Sequence, residues 1–173
     1  MDANAGVGPE ATYSGDLPKM TSSVESALNG LGLTLPEAIA PVANYVPYVR
    51  TGNLLFVSGQ ISKTAAGAAV IGKLGVAVDV AGGQKAAELC ALNILAQVKA
   101  AVGDLDRIVR VVRLNAFVNS APEFTDQPQV VNGASNLIAN VLGDKGKHSR
   151  TAVGVAALPL GVAVEIDAII EVS

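Results

Sequence analysis

The sequence predicts an α+β fold, a mixed β-sheet with two helices packed on one face. Three observations predict it. β-branched or alternating segments flank two longer helical patterns, in the order strand pair, helix, strand, helix, strand pair. Gly and Pro punctuate the joins rather than the interiors of most elements. Half of the 173 residues are hydrophobic and only 16% are charged, enough apolar side chain for one large core and for a buried subunit interface besides.

The elements are expected in this order. Residues 1–19 are small, polar and aperiodic, and read as a flexible extension ahead of a single domain over residues 20–173. Ser22 or Ser23 can cap a short extra N-terminal helix that places Val24 and Leu28 on one side and stops at Gly30 or Gly32. The Pro-punctuated run after it must be extended or irregular. A hairpin follows around Thr51-Gly52-Asn53. Its second arm, residues 54–57, is continuously apolar, so both of its faces are expected to be covered. A loop with a short strand at residues 69–71 leads to the strongest helix, residues 82–102, with an Ala87–Ala91–Ile94–Val98–Ala101 stripe and Gly103 as its stop.

A long strand over residues 106–120 should then place Val112, Leu114, Ala116 and Val118 on one face. Ser120 and Glu123 have capping-box spacing, so the second helix is expected to open there and to run to about residue 142. The last two strands, residues 150–158 and 161–172, are expected to pair as a hairpin across a Leu-Pro-Leu-Gly turn.

Composition excludes several function classes. Twelve basic against fifteen acidic residues give a net charge of −3, and with 3% aromatics and no Trp neither a phosphate-tracking patch nor a base-stacking platform is expected, so no nucleic acid is expected as a partner. Strand alternation splits Arg107, Arg110 and Arg113 between faces, so they form no such patch. No apolar run is long enough for a membrane span. One Cys and one His exclude an intrachain disulfide and Cys- or His-based metal clusters, so no metal is expected. No Lys or Arg precedes residue 19, so no leader peptide is expected, and a reducing cytoplasm suits such a chain. Cys90 lies inside the strong helix and reads as inert core, and His148 reads as a loop residue without a triad.

Chemistry is expected at a few positions. Arg150 starts a strand of small residues, Thr151, Ala152, Gly154 and Ala156, which leaves room for a ligand beside a guanidinium able to grip a planar carboxylate. A solvated arginine at a strand end would look the same. Glu165 shares a strand face with Asp167, Ile169 and Glu171, and could orient a water as general base or simply face solvent. Ser58 and Gly59 end an apolar strand, where a hydroxyl and backbone amides could meet a polar ligand group, or merely form a turn. Asn132-Gly133 inside a helical pattern calls for a polar contact or close packing. Tyr45 flanks the first strand with a phenol that needs a partner if buried.

Taken in order, Tyr45, TGNLLFVSGQI, the strong helix, VVRLNAFVNSAPEF, VVNGAS, and Arg150 leading through ALPLGVAVEIDAI resemble the Rid family of reactive intermediate deaminases, also called the YjgF family. The resemblance covers residues 43–172. It implies a chorismate-mutase-like fold and a homotrimer with ligand clefts between subunits. It also implies hydrolysis of 2-enamino and 2-imino acids, such as 2-aminoacrylate, to 2-keto acids and ammonia, with no cofactor. On this resemblance Arg150 holds the substrate carboxylate, Glu165 orients the hydrolytic water, and Tyr45, Ser58, Gly59, Asn132 and Thr151 contact the substrate. His148 and Ala152 stand where the archetypal deaminases carry Pro or Ala and Cys, and residues 21–39 have no counterpart there, so the chain resembles a longer branch. The competing expectation is a non-enzymatic trimer, chaperone-like or simply binding, that holds a small carboxylate in the same cleft.

Overall fold

The structure is a computed structural model, and it describes residues 22–38 and 44–173. The extension read at residues 1–19 lies outside the described residues.

Helix α1 spans Ser23–Gly30. Ser22 caps it, its hydroxyl accepting from the Glu25 amide at 3.0 Å. Val24 and Leu28 are buried, and the Asp106 carboxylate accepts from Ser23 and Val24, which pins the helix to the domain.

Strands β1 (Tyr48–Thr51) and β2 (Leu54–Ile61) form the expected hairpin, with Gly52 at φ +58 in the turn. Burial along β2 alternates rather than covering both faces: Leu55 and Val57 are buried, while Phe56 is 41% exposed. Among the described residues, helices cover only one side of it. The strand expected at residues 69–71 is displaced. Two-residue strands β3 (Lys63–Thr64) and β4 (Gly67–Ala68) pair instead, and Ile71 makes one bridge to Val162.

Helix α2 (Val80–Val102) begins two residues before the expected start, because Asp79 accepts from the Gly82 amide at 2.7 Å and caps it. Strand β5 (Ile108–Asn119) is the longest strand of the sheet. Two bulges interrupt its pairing, so the buried face is Val111, Leu114, Ala116 and Val118, and Val112 does not share it as simple alternation implies. Helix α3 (Gln127–Leu142) starts later than expected, with Pro128 in its first turn. Ser120 cannot cap it, because that residue stays in the sheet, bridged to Leu74 and bonded to the Val155 carbonyl.

Strands β6 (Ser149–Val155) and β7 (Val164–Val172) do not pair as a hairpin. The sheet order is β1-β2-β7-β5-β6, with β5 between them, antiparallel to β7 and parallel to β6. The β5–α3–β6 stretch is a helical crossover, and a crossover delivers a parallel neighbour. Residues 156–163 then step over the end of β5, held there by Lys73, whose Nζ donates to the Ala156 carbonyl at 2.6 Å and to Asn119 Oδ1 at 2.7 Å.

Helix α2 lies on β2 and β7, and α3 on β5 and β6. Leu55, Ile94, Leu114, Ile138, Ile166 and Ile170 fill the layer between them. The other sheet face carries no covering element among the described residues.

Candidate functional site

The site residues fall into two groups on opposite faces of the sheet. The first is built on β6 and α3. Arg150 pairs in register with Leu114, a fully buried residue of the helix-covered face, so its side chain runs toward α3. There Nη1 donates to Asn132 Oδ1 at 2.9 Å and to Ser135 Oγ at 3.0 Å, and Nη2 reaches the Pro128 carbonyl at 3.4 Å. All three partners are neutral, and no carboxylate among the described residues forms a salt bridge with it. The half-buried guanidinium therefore keeps its charge uncompensated, and Nε–H and one Nη2 hydrogen stay available. Two donors on one rigid plane are what a carboxylate pairs with.

Both explanations for Asn132-Gly133 turn out to apply. Asn132 holds Arg150, and Gly133 lets α3 approach α2 closely: a Cβ there would stand 2.1 Å from the Gln84 carbonyl oxygen. Behind Ser135 lies His148, with Nε2 3.0 Å from Ser135 Oγ and Nδ1 2.5 Å from the Gly146 carbonyl. Sequence reasoning named neither as a site residue, although Ser135 stands three residues after Asn132 on the same helix side.

The second group is built on β2 and β7. Ser58 and Gly59 are not a strand-ending turn. Pairing shifts between Val57 and Gln60, so both residues bulge opposite Asp167 and β2 continues to Ile61. Ser58 Oγ donates to the Val46 carbonyl at 2.7 Å and its amide to the Pro47 carbonyl at 2.9 Å, drawing the segment after Tyr45 onto the bulge. Tyr45 itself is exposed. Glu165 leans across Gly59, where an added Cβ would stand 2.1 Å from Glu165 Oε1. Only glycine leaves that space. Burial, and secondly the charge of Asp167, pushes the Glu165 carboxyl above its ordinary value. A carboxylate so placed is a better base than one in open water.

Thr151 belongs to neither group. It pairs with Asn115 on the uncovered face, where its hydroxyl accepts from Arg113 Nη2 at 2.7 Å. Arg113 also holds Asn115, which donates to Asp167 at 2.7 Å. Cys90 is fully buried, and burial pushes its thiol well up.

One chain does not bring Arg150 and Glu165 together. Arg150 aligns with Leu114 and Glu165 with Phe117, three residues along β5 and therefore on the other face. Three residues along a strand and two strand spacings across put the two backbones about 14 Å apart. No group of three or more His, Cys, Asp or Glu side chains among the described residues is arranged to hold a metal ion.

The profile of the family described as "YjgF/chorismate mutase-like, putative endoribonuclease" matches residues 25–171. The chain belongs to this family. It is similar to a protein of unknown function from Agrobacterium tumefaciens whose crystal structure superposes with a TM-score of 0.83, at 58% identity over 87% of this chain and 93% of that one. The curated Trypanosoma cruzi protein TCP17 is 53% identical over 87% of this chain and 94% of its own length. The crystal structure of E. coli TdcF with bound serine matches at 28% identity and a TM-score of 0.55, covering 80% of this chain and 93% of that one. The YjgF family thus supplies the expected α+β, chorismate-mutase-like fold class, and no described helix is long and apolar enough to cross a membrane.

Proposed function

We propose that this YjgF-family chain hydrolyses reactive 2-imino and 2-enamino acids to 2-keto acids and ammonia, in clefts formed between the subunits of a homotrimer. The observation that carries the reading is Arg150, oriented by Asn132 and Ser135 yet paired with no acid among the described residues. A relative crystallised with bound serine supports a small carboxylate-bearing ligand. The net charge of −3 lends no support to an RNA substrate.

In this reading the two groups of residues meet across a subunit boundary. Arg150 of one subunit grips the substrate carboxylate. Glu165 of the neighbour, over Gly59 and beside Ser58 and Tyr45, faces C2. An enamine first tautomerises to the imine. Glu165 accepts a proton from water as its oxygen attacks C2. The proton passes to nitrogen, and the carbinolamine collapses to the 2-keto acid and ammonia. The imine is intrinsically labile, so positioning and one base suffice. The uncovered sheet face, with Val49, Phe56 and Val153 exposed, supports burial against further copies. Sedimentation velocity at micromolar concentration should give a trimer, and a stable monomer would remove the cleft.

Glu165→Gln keeps the shape and removes the base. Its kcat should fall about a hundredfold, while affinity for a 2-keto acid changes less than about threefold. In the wild type the acid limb of kcat should lie above 4.5, the ordinary glutamate value, because the carboxyl is pushed up. The sign for stability is opposite to that for rate. A raised carboxyl costs nothing when protonated, and the cost grows as pH rises through its folded-state pKa. At neutral pH Glu165→Gln should therefore melt no lower than wild type. A variant that keeps wild-type kcat would remove Glu165 from the reaction.

A further inference from the structure

A cavity of about 350 Å³ opens toward the end of β6 away from Arg150, between the turn that follows β5 and the first residue of α3. Arg150 and Gly154 pair in register with Leu114 and Val118, two fully buried residues of the helix-covered face, so both lie on that side of β6. Helix α3 runs back over the strand: Gln127 lies by Gly154, while Asn132 and Ser135 lie by Arg150. Arg150 Nη2, which keeps a hydrogen for a carboxylate, reaches the carbonyl of Pro128, the residue next to Gln127. It is therefore the end of the guanidinium nearer the cavity. Neighbouring Cα atoms are about 3.8 Å apart, so a short amino-acid side chain spans the step from anchor to cavity. Gly154 has no positive φ to explain it, and its missing side chain does. A Cβ there would stand 2.6 Å from Ser120 Oγ and 2.9 Å from Gln127 Nε2 and would fill the space beside them.

The two polar side chains in this space have unused capacity. Ser120 is 7% exposed, and its Oγ accepts from Gln127 Nε2 at 3.3 Å, but its own hydrogen has no acceptor among the described residues. The Phe124 carbonyl can only accept, and it takes Gln127 Nε2 at 2.6 Å, which fixes the amide. Nε2 thereby spends both hydrogens, and Oε1 has no donor among the described residues. Lys73 ties the rims together, spending its three hydrogens on Asn119 Oδ1 and on the Ser120 and Ala156 carbonyls. The cavity thus offers one neutral donor beside one neutral acceptor. That pair matches a primary carboxamide, whose oxygen takes the Ser120 proton and whose nitrogen gives one to Gln127 Oε1. A carboxylate would set two acceptors against each other at Oε1. A hydrocarbon would strip water from both groups and replace none of its hydrogen bonds. We propose that this cavity is the side-chain subsite of the Arg150 site, and that Ser120 and Gln127 select 2-imino acids whose side chain ends in a carboxamide. The inference rests on the reading of Arg150 as the carboxylate anchor of an imine hydrolase.

Asparagine and leucine give 2-imino acids of the same shape, one ending in a carboxamide and the other in two methyl groups. Each imine, and the shorter one from alanine, is generated in situ with an amino acid oxidase, and kcat/KM for its hydrolysis by the full chain is read from the loss of semicarbazone. The wild type should favour the asparagine-derived imine over the leucine-derived one by about tenfold. In Ser120→Ala and in Gln127→Met, each checked for folding by circular dichroism, that preference should fall to about threefold or less. Faster hydrolysis of the alanine-derived imine with no preference for the carboxamide in the wild type, or with a preference that survives both substitutions, would overturn the subsite and leave Arg150 as anchor. No acceleration with any of the three imines would overturn the hydrolase reading and the subsite with it.

Discussion

Arg150→Lys is expected to leave the fold intact and to lower kcat/KM on 2-imino acids by about thirtyfold, the equivalent of about 2 kcal/mol. The reason is geometric. Arg150 spends both hydrogens of Nη1 on Asn132 and Ser135, which fixes the plane of the guanidinium and aims its other donors outward. An ammonium is a point charge on a flexible stem and cannot hold two walls while presenting parallel donors to a carboxylate. The side chain is only partly buried and has no acid partner among the described residues, so the fold itself should lose little. Steady-state kinetics on several imino acids, with circular dichroism as the folding control, decide the point. Wild-type rates on every substrate would return Arg150 to the status of a strand-end surface arginine.

Among the described glycines outside the proposed reaction, Gly133 should tolerate an added methyl, Gly133→Ala, least. The new Cβ would meet the oxygen, carbon and Cα of Gln84 at 2.1, 2.7 and 2.8 Å, and hydrogen-bonded helix backbone cannot swing aside as a side chain can. The two helices must part, which costs about 3 kcal/mol and lowers Tm by about 9 °C. Gly30→Ala is the matched control. It adds a methyl with nothing within 4 Å of it, and should move Tm by about a degree or less. Equal melting of the two variants would mean that α2 and α3 do not cross at Gly133.

The parts of the fold that were legible in the sequence are those decided by neighbours in the chain. Ser22 capping α1, the Gly52 turn and the apolar stripe of α2 each follow from local sterics or periodicity. The errors arise where distant strands decide. Residues 149–172 look like two strands around a Pro-Gly turn, yet β5 claims an edge of each, and nothing in the turn's own sequence reveals an intruding strand. Ser120 and Glu123 have capping spacing, but the sheet holds Ser120 first. Val112 fails because bulges change the alternation that assigned it.

For the site, Asn132 was legible because Asn-Gly is a poor helix pair that demands a reason, and Arg150 because small residues follow it. Ser135 was not, since a serine on a helix is unremarkable until its partner is in place. Thr151 follows Arg150 directly, and strand alternation by itself sends it to the opposite face, where Arg113 holds it. The same alternation separates Arg150 from Glu165, which is why the proposed reaction calls for a second copy.

The central claim is hydrolysis of a reactive imine. The most direct measurement generates an imino acid in situ with an amino acid oxidase and traps whatever survives as its semicarbazone. The protein should lower the semicarbazone yield in proportion to its concentration, with the 2-keto acid and ammonia appearing correspondingly faster, and Arg150→Lys and Glu165→Gln should each largely abolish the effect. A semicarbazone yield independent of the protein for every imino acid tested, from a folded trimer that still binds 2-keto acids, would contradict the claim and leave a carboxylate-binding protein.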